Sequence, residues 1–311
     1  MQLVQKEPFV LKKLTASILH YKYIYLLILP GLVFYAIFMY GPMYGIQLAF
    51  KEYIVSKGIW GSPFIGFDNF KYIIYDSDFW YAFRNTIIIS ICKLIFVFPA
   101  PIIIALALNE LVDGTYKRIL QTVFTFPHFL SWIVVSGIIL NIFGANGAIN
   151  NLLDMMGLEK QAFLASPQLF RPLLYFTDIW KESGWSCIIY LAAITSINPE
   201  IYEAAIVDGV NRWQKMRFIT LPGIHSTIVI LFILSIGNLM NAGFDQVFNL
   251  YNPVVYDVGD IIDTYIYRIT FQNSNDLGFS TAVGLFKSII NLVLLLSANK
   301  LAKKSTGSGI F

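Results

Sequence analysis

Ser235, Asn238, Asn241 and Asp245 stand 3, 3 and 4 residues apart in an otherwise apolar stretch. At 100° per residue they fall within an arc of about 120°, which is one face of a helix. Amides, a hydroxyl and a carboxylate on one face can trade hydrogen bonds with a hydroxyl-rich solute. The same face would also serve as polar glue between helices, and both readings stay open. A second polar group, Asp178, Lys181, Glu182 and Trp185, also shares a helix face. Within it Lys181 is placed to neutralise Asp178 or Glu182. For this group the sequence favours a span that begins later and leaves the charges at the outer water interface. Lys93 and Lys287 sit in other apolar runs, to snorkel or to pair, and no role is assigned to them.

Catalytic chemistry finds no support. The three histidines are far apart, and the two cysteines, Cys92 and Cys187, lie inside apolar runs as packing residues. There is no serine–histidine motif, no HExxH, and no P-loop to cradle a nucleotide's phosphates. A net charge of +3 is too small to point to nucleic acid.

The elements that must carry these residues are membrane helices. Of 311 residues 57% are hydrophobic and 13% charged, where soluble domains carry roughly 25% charge. Mean hydropathy is +0.64. Six apolar stretches reach the roughly 20 residues needed to span a bilayer. They fall at about 23–47, 86–108, 119–143, 172–197, 227–248 and 281–301. Lys and Arg concentrate in the N-terminal arm, the 2–3 and 4–5 loops and the tail, which places both termini in the cytoplasm. The first outer loop mixes turn residues with aromatics and is expected to pack. The last carries Asp257, Asp260, Asp263 and Asp276 and makes that side acidic.

The loop at 198–222 is more than a linker. Asn198 can cap a helix with Pro199 in its first turn, and Glu200 and Glu203 suit the positive end of its dipole. Ala204 and Ala205 leave a bare strip for close approach. Gly209 can end the helix in the left-handed conformation. Asn211 can cap a second helix, and Pro222 marks the return to the membrane. On these grounds alone an amphipathic interfacial connector is equally allowed.

The pattern Glu203-Ala204-Ala205, Gly209, Ile219, Leu221-Pro222 resembles the EAA signature of bacterial ABC importer permeases, EAA-x3-G-x9-I-x-LP, at every fixed position. LLILPGLVFYAIFMYGPMYGIQLAFKEY, GFDNF, FRNT, WSCIIYLAAI and IDTYIYR look like the carbohydrate-uptake permeases, in the branch handling complex oligosaccharides. The resemblance implies an all-α integral membrane protein with six transmembrane helices in the type I importer fold. It implies a cytoplasmic arm at 1–22, a permease domain at 23–301 containing the 198–222 coupling loop, and a cytoplasmic tail at 302–311. Glu203, Ala204, Ala205, Asp208, Gly209, Ile219, Leu221 and Pro222 are then the residues that couple to an ATPase. Ser235, Asn238, Asn241, Asp245 and Trp185 are candidates for the solute path. The implied partners are a second permease, usually a different chain, two ABC ATPase subunits that bind ATP and Mg, an extracytoplasmic solute-binding protein, and an oligosaccharide. The chain itself would hold no cofactor and would sit in the bacterial inner membrane. An ion-coupled secondary transporter, with Asp245 as its carboxylate, and an importer for another solute are the competing readings.

Overall fold

The computed structural model describes residues 20–273 and 276–306, so most of the expected arm and half of the expected tail lie outside it. Among the described residues the regular structure is all helical, apart from one isolated antiparallel bridge between Lys51 and Phe64. Helix α1 (Lys22–Phe34) continues through a wider turn at Tyr35–Tyr40 and a tighter one at Gly41–Phe50. No residue in 22–40 is buried, so this segment stands off the rest of the chain.

The loop after the first span folds back as expected. Asn69, in α2 (Asp68–Tyr75), donates to the carbonyls of Ala49 and Lys51 at 3.0 and 3.2 Å. Asp76 caps α3 (Ser77–Phe96) by accepting from the Phe79 N–H at 2.9 Å. A kink before Pro99 leads into α4 (Pro99–Asn109), because proline removes a donor and crowds the preceding turn. Then come α5 (Thr115–Thr125), α6 (Trp132–Phe143) and α7 (Ala148–Met155). Between α5 and α6 a tight turn with Pro127 gives way to extended Leu130 and Ser131, and the Ser131 side chain caps α6. The stretch expected as one span at 119–143 is therefore two helices. The apolar unit long enough to cross is Trp132–Met155.

The longest middle element, α8 (Pro167–Thr195), has 29 residues, about 44 Å at 1.5 Å per residue. The elbow follows as α9 (Pro199–Val207) and α10 (Arg212–Lys215). Helices α11 (His225–Gly237), α12 (Phe244–Leu250), α13 (Ile262–Arg268) and α14 (Leu277–Thr306) complete the chain. Among the described residues four helices are long and apolar enough to cross a membrane: Lys22–Phe50, Ser77–Asn109, Trp132–Met155 and Leu277–Lys304. The pair Arg212–Gly223 and His225–Gly237, bent by 62°, makes a fifth only if it is counted as one broken span. Helix α8 has the length but is too charged to count with them.

Three apolar clusters hold the helices together. One joins α3, α6, α8 and α12 through Ile89, Val135, Leu174 and Val247. A second joins α3, α13 and α14 through Phe79, Tyr265 and Val283. A third, at the elbow end, joins α4, α8 and the residue capping α11 through Ala105, Tyr190 and Ile224. At the opposite end a buried amide ties the loops down. Asn85 is 0% exposed and donates to the carbonyls of Asp257 and Asp260, both at 3.1 Å, while Arg171 donates to its Oδ1 at 2.9 Å. The last loop is less acidic than its composition, because Arg268 pairs with Asp260 and Lys287 with Asp263.

Candidate functional site

A cavity of about 530 Å³ opens between α3, α4, α8 and the junction of α11 and α12. Its polar lining includes Ser90, Lys93, Asp178, Glu182, Ser186, Ser235, Asn238, Asn241 and Gln246, with Trp132 on one wall. Three of the four residues expected to share a face on the fifth span are therefore together. Their setting differs from that expectation, because the span is not one helix. It breaks at 238–243, where Ala242 and Gly243 have φ of 46° and 87°. Two consecutive left-handed residues reset the helical phase. Asp245, in the first turn of α12, is carried out to an exposed position off the cavity wall, and the buried Gln246 takes the inward place. Trp185 also lies off the lining. It is 44% exposed and stacks on His128 with ring centroids 4.7 Å apart.

The charges of α8 lie inside the helix, not ahead of it. Asp178, Lys181 and Glu182 occupy the middle of the helix, and Lys181 is 4% exposed. A continuous helix forces this, because Pro167 starts it well before the charges. Each finds a partner, since an unpaired ion away from water is expensive. Lys93 reaches Asp178 at 2.9 Å and Gln246 Oε1 at 2.6 Å. Gln246 in turn donates to the Leu174 carbonyl at 2.7 Å and to Thr177 Oγ1 at 2.9 Å. Lys181 pairs with Glu182 at 2.7 Å rather than with Asp178, and Glu182 also meets His128 Nδ1 at 2.6 Å. The φ of 87° at Gly243 strains any other residue, and a Cβ there would lie 2.5 Å from Lys93 Nζ, displacing the lysine tip.

Removing one member of a buried pair strands the other. Lys93→Met should therefore cost about 3–5 kcal/mol of stability, and Lys93→Met with Asp178→Leu should recover most of it. Melting of the purified complex in detergent reads both. Equal losses in the single and double variants would refute the pairing as a source of stability. The sequence missed Gln246, His128 and the role of Lys93. The only local signal was a basic residue inside an apolar run.

The elbow is built as its local sequence specifies. Asn198 accepts from the Glu200 N–H at 3.1 Å, and Asn211 and Gln214 form a reciprocal capping box at 2.9 and 3.0 Å. Gly209 has φ of 72°. Ala205 packs inward, 6% exposed, whereas Glu203, Ala204, Asp208, Gly209, Leu221 and Pro222 are exposed. A groove of about 580 Å³ runs beside α9, lined by Ile201, Ala204, Ala205, Asp208, Phe218 and Ile219, among others. Val207, Trp213 and Phe218 are 87%, 68% and 67% exposed around it. Two contacts tie the elbow to its base. Tyr202 and Thr220 hydroxyls meet at 3.0 Å, and Lys215 lies 3.5 Å from Glu110 at the end of α4.

Spanning helices around a polar cavity, with an exposed apolar elbow at one end, fit a membrane transport subunit. The chain belongs to the family of binding-protein-dependent transport system inner membrane components, which matches residues 97–306. Protein LplB of Bacillus subtilis (strain 168) is 44% identical over 291 residues, covering 93% of this chain and 91% of that protein. The polygalacturonan/rhamnogalacturonan transport system permease protein YteP of the same organism is 42% identical over 303 residues, covering 96% and 94%. A chain of a bacterial alginate ABC transporter, crystallised with an alginate pentasaccharide-bound periplasmic protein, superposes with a TM-score of 0.86 at 38% identity. That match covers 95% of this chain and 99% of the other.

Proposed function

We propose that this chain is one permease half of an ATP-driven importer that passes an oligosaccharide delivered by an extracytoplasmic binding protein. The observation that carries the reading is the cavity, whose lining offers amides and hydroxyls while its charged groups are held in ion pairs. Such a surface exchanges hydrogen bonds with sugar hydroxyls without a net charge to satisfy. The polysaccharides in the relatives' names point the same way.

In this reading α8 is the sixth span, its charges shielded from lipid by α3, α12 and the turn at His128. Both termini and the elbow face the cytoplasm, with 23–301 as the permease domain between a short arm and tail. A second permease, usually a different chain, completes the path. Two ABC ATPase subunits bind ATP and Mg, and one of them seats Val207, Trp213 and Phe218 beside the α9 groove. Closure of the ATPases moves the elbow as a rigid body and turns the cavity from inward-facing to outward-facing, and hydrolysis returns it. Glu203, Ala204, Asp208 and Gly209 lie at that contact, and Ile219, Leu221 and Pro222 lead from it into α11.

The test is reconstitution. With ATP and the ATPase subunits inside proteoliposomes, binding-protein-dependent oligosaccharide uptake is expected, and Ala204→Cys should crosslink to a cysteine on the ATPase. Uptake by this chain without ATP or ATPase would overturn the reading in favour of an ion-coupled carrier.

A further inference from the structure

We infer that Lys287 is a positioning residue that presents Asn241 to the solute as an N–H donor. The inference rests on the proposed function, in which Asn241 lines the path, and adds what that side chain recognises and what fixes it. Asn241 sits in the break between α11 and α12, where no regular helix orients its side chain, and it is exposed on the cavity wall. Lys287, on α14, donates to Asn241 Oδ1 at 3.0 Å. A lysine ammonium has donors and no acceptor, so the oxygen of the carboxamide must be the atom facing it. The amide is planar, so its NH2 points the other way. The group offered to the cavity is thus a donor pair, and its complement is an acceptor oxygen.

The lysine is itself held. Asp263, on α13, grips the Lys287 ammonium through both carboxylate oxygens, Oδ2 at 2.7 Å. The Lys287 side chain is 13% exposed, so the charge is spent on Asp263 and not presented to solute. One turn further along α14, Asn291 Oδ1 accepts from the Met240 N–H at 3.1 Å, anchoring the same break from the same helix face. An N–H donor with a neutralised cation behind it suits the hydroxyl, ring or bridging oxygens that every sugar unit carries, uronates included. A uronate carboxylate would gain no free positive charge there.

The test uses the full importer complex in proteoliposomes, with its binding protein. The probes are polygalacturonan and alginate oligosaccharides of defined length. Losing the orientation of one hydrogen bond to solute should raise the half-saturating concentration about tenfold for Lys287→Met, with the maximal rate kept within about twofold. Lys287→Arg, which keeps the donor, should restore it. Lys287→Met with Asp263→Asn removes the stranded carboxylate, protects assembly, and should show the same shift. Asn241→Leu should also raise the half-saturating concentration, and adding Lys287→Met to it should change nothing more. Wild-type half-saturation in the Lys287/Asp263 double variant, or additivity with Asn241→Leu, would overturn the positioning role. An unshifted Asn241→Leu, or no stimulation of the wild type by either probe, would instead overturn the path reading beneath it.

Discussion

Gly209→Pro is expected to bring oligosaccharide uptake to background while the chain still enters the membrane and pairs with its neighbours. Gly209 joins the two elbow helices at a φ of 72°. Proline holds φ near −65°, so it cannot adopt that turn, and it also lacks the N–H that Gly209 donates to the Ile206 carbonyl at 3.1 Å. A Cβ at Gly209 meets nothing within 4 Å, so space is not the obstacle. That separates conformation from crowding. Gly209→Ala should cost about 1–2 kcal/mol in turn strain and leave partial uptake. The damage should be confined to α9 and α10, because the three apolar clusters lie elsewhere. Uptake and solute-stimulated ATP hydrolysis, measured against the amount of assembled complex, decide the matter. Normal stimulation in the proline variant would refute the elbow as the joint between ATPase and spans.

A larger structural loss is expected at Gly184, in the middle of α8. There a Cβ would lie 1.9 Å from the Phe124 carbonyl oxygen and 2.2 Å from its carbon, both backbone atoms of α5. Main chain cannot yield as a side-chain tip can. The helices would have to separate, opening the α4, α8 and α11 cluster around Cys187 and Tyr190. Gly184→Val should therefore cost more than about 4 kcal/mol and prevent recovery of a monodisperse complex. Gly137, on α6, has nothing within 4 Å of its Cβ position, so Gly137→Val serves as the tolerated control. Equal yield and melting temperature for the two variants would show that this crossing does not govern the fold.

The elbow was legible because its determinants are local. Asn198, Gly209, Asn211 and Gln214 act within a few residues of themselves, and capping and turn chemistry read directly from such spacing. The cavity was legible only in part. Ser235, Asn238 and Asn241, grouped by periodicity, line the cavity, whereas Asp245 and Trp185 lie off its wall. A period of 3.6 assumes an unbroken helix, and the turn at Ala242 and Gly243 violates that assumption. The pair of Lys93 with Asp178 and the reach of Lys287 to Asp263 and Asn241 join different helices. Nothing in a one-dimensional pattern says which buried ions meet. The same gap applies to α8, whose Asp178 and Glu182 meet Lys93 and His128 from other elements. At 119–143 the hydrophobic run gave no warning that Pro127 would divide it.

The interruption of the fifth span has a mechanical meaning. In the proposed importer a stroke of the elbow would enter α11 past Pro222, and at Gly237 the hydrogen-bonded rod ends. Beyond it α12 is clasped to α8 through Gln246 and is not a continuation of α11. The segment is thus jointed like a finger. In the proposed importer the phalanx next to the elbow would move while the other stays fastened, reshaping the chamber without dragging the far rim along.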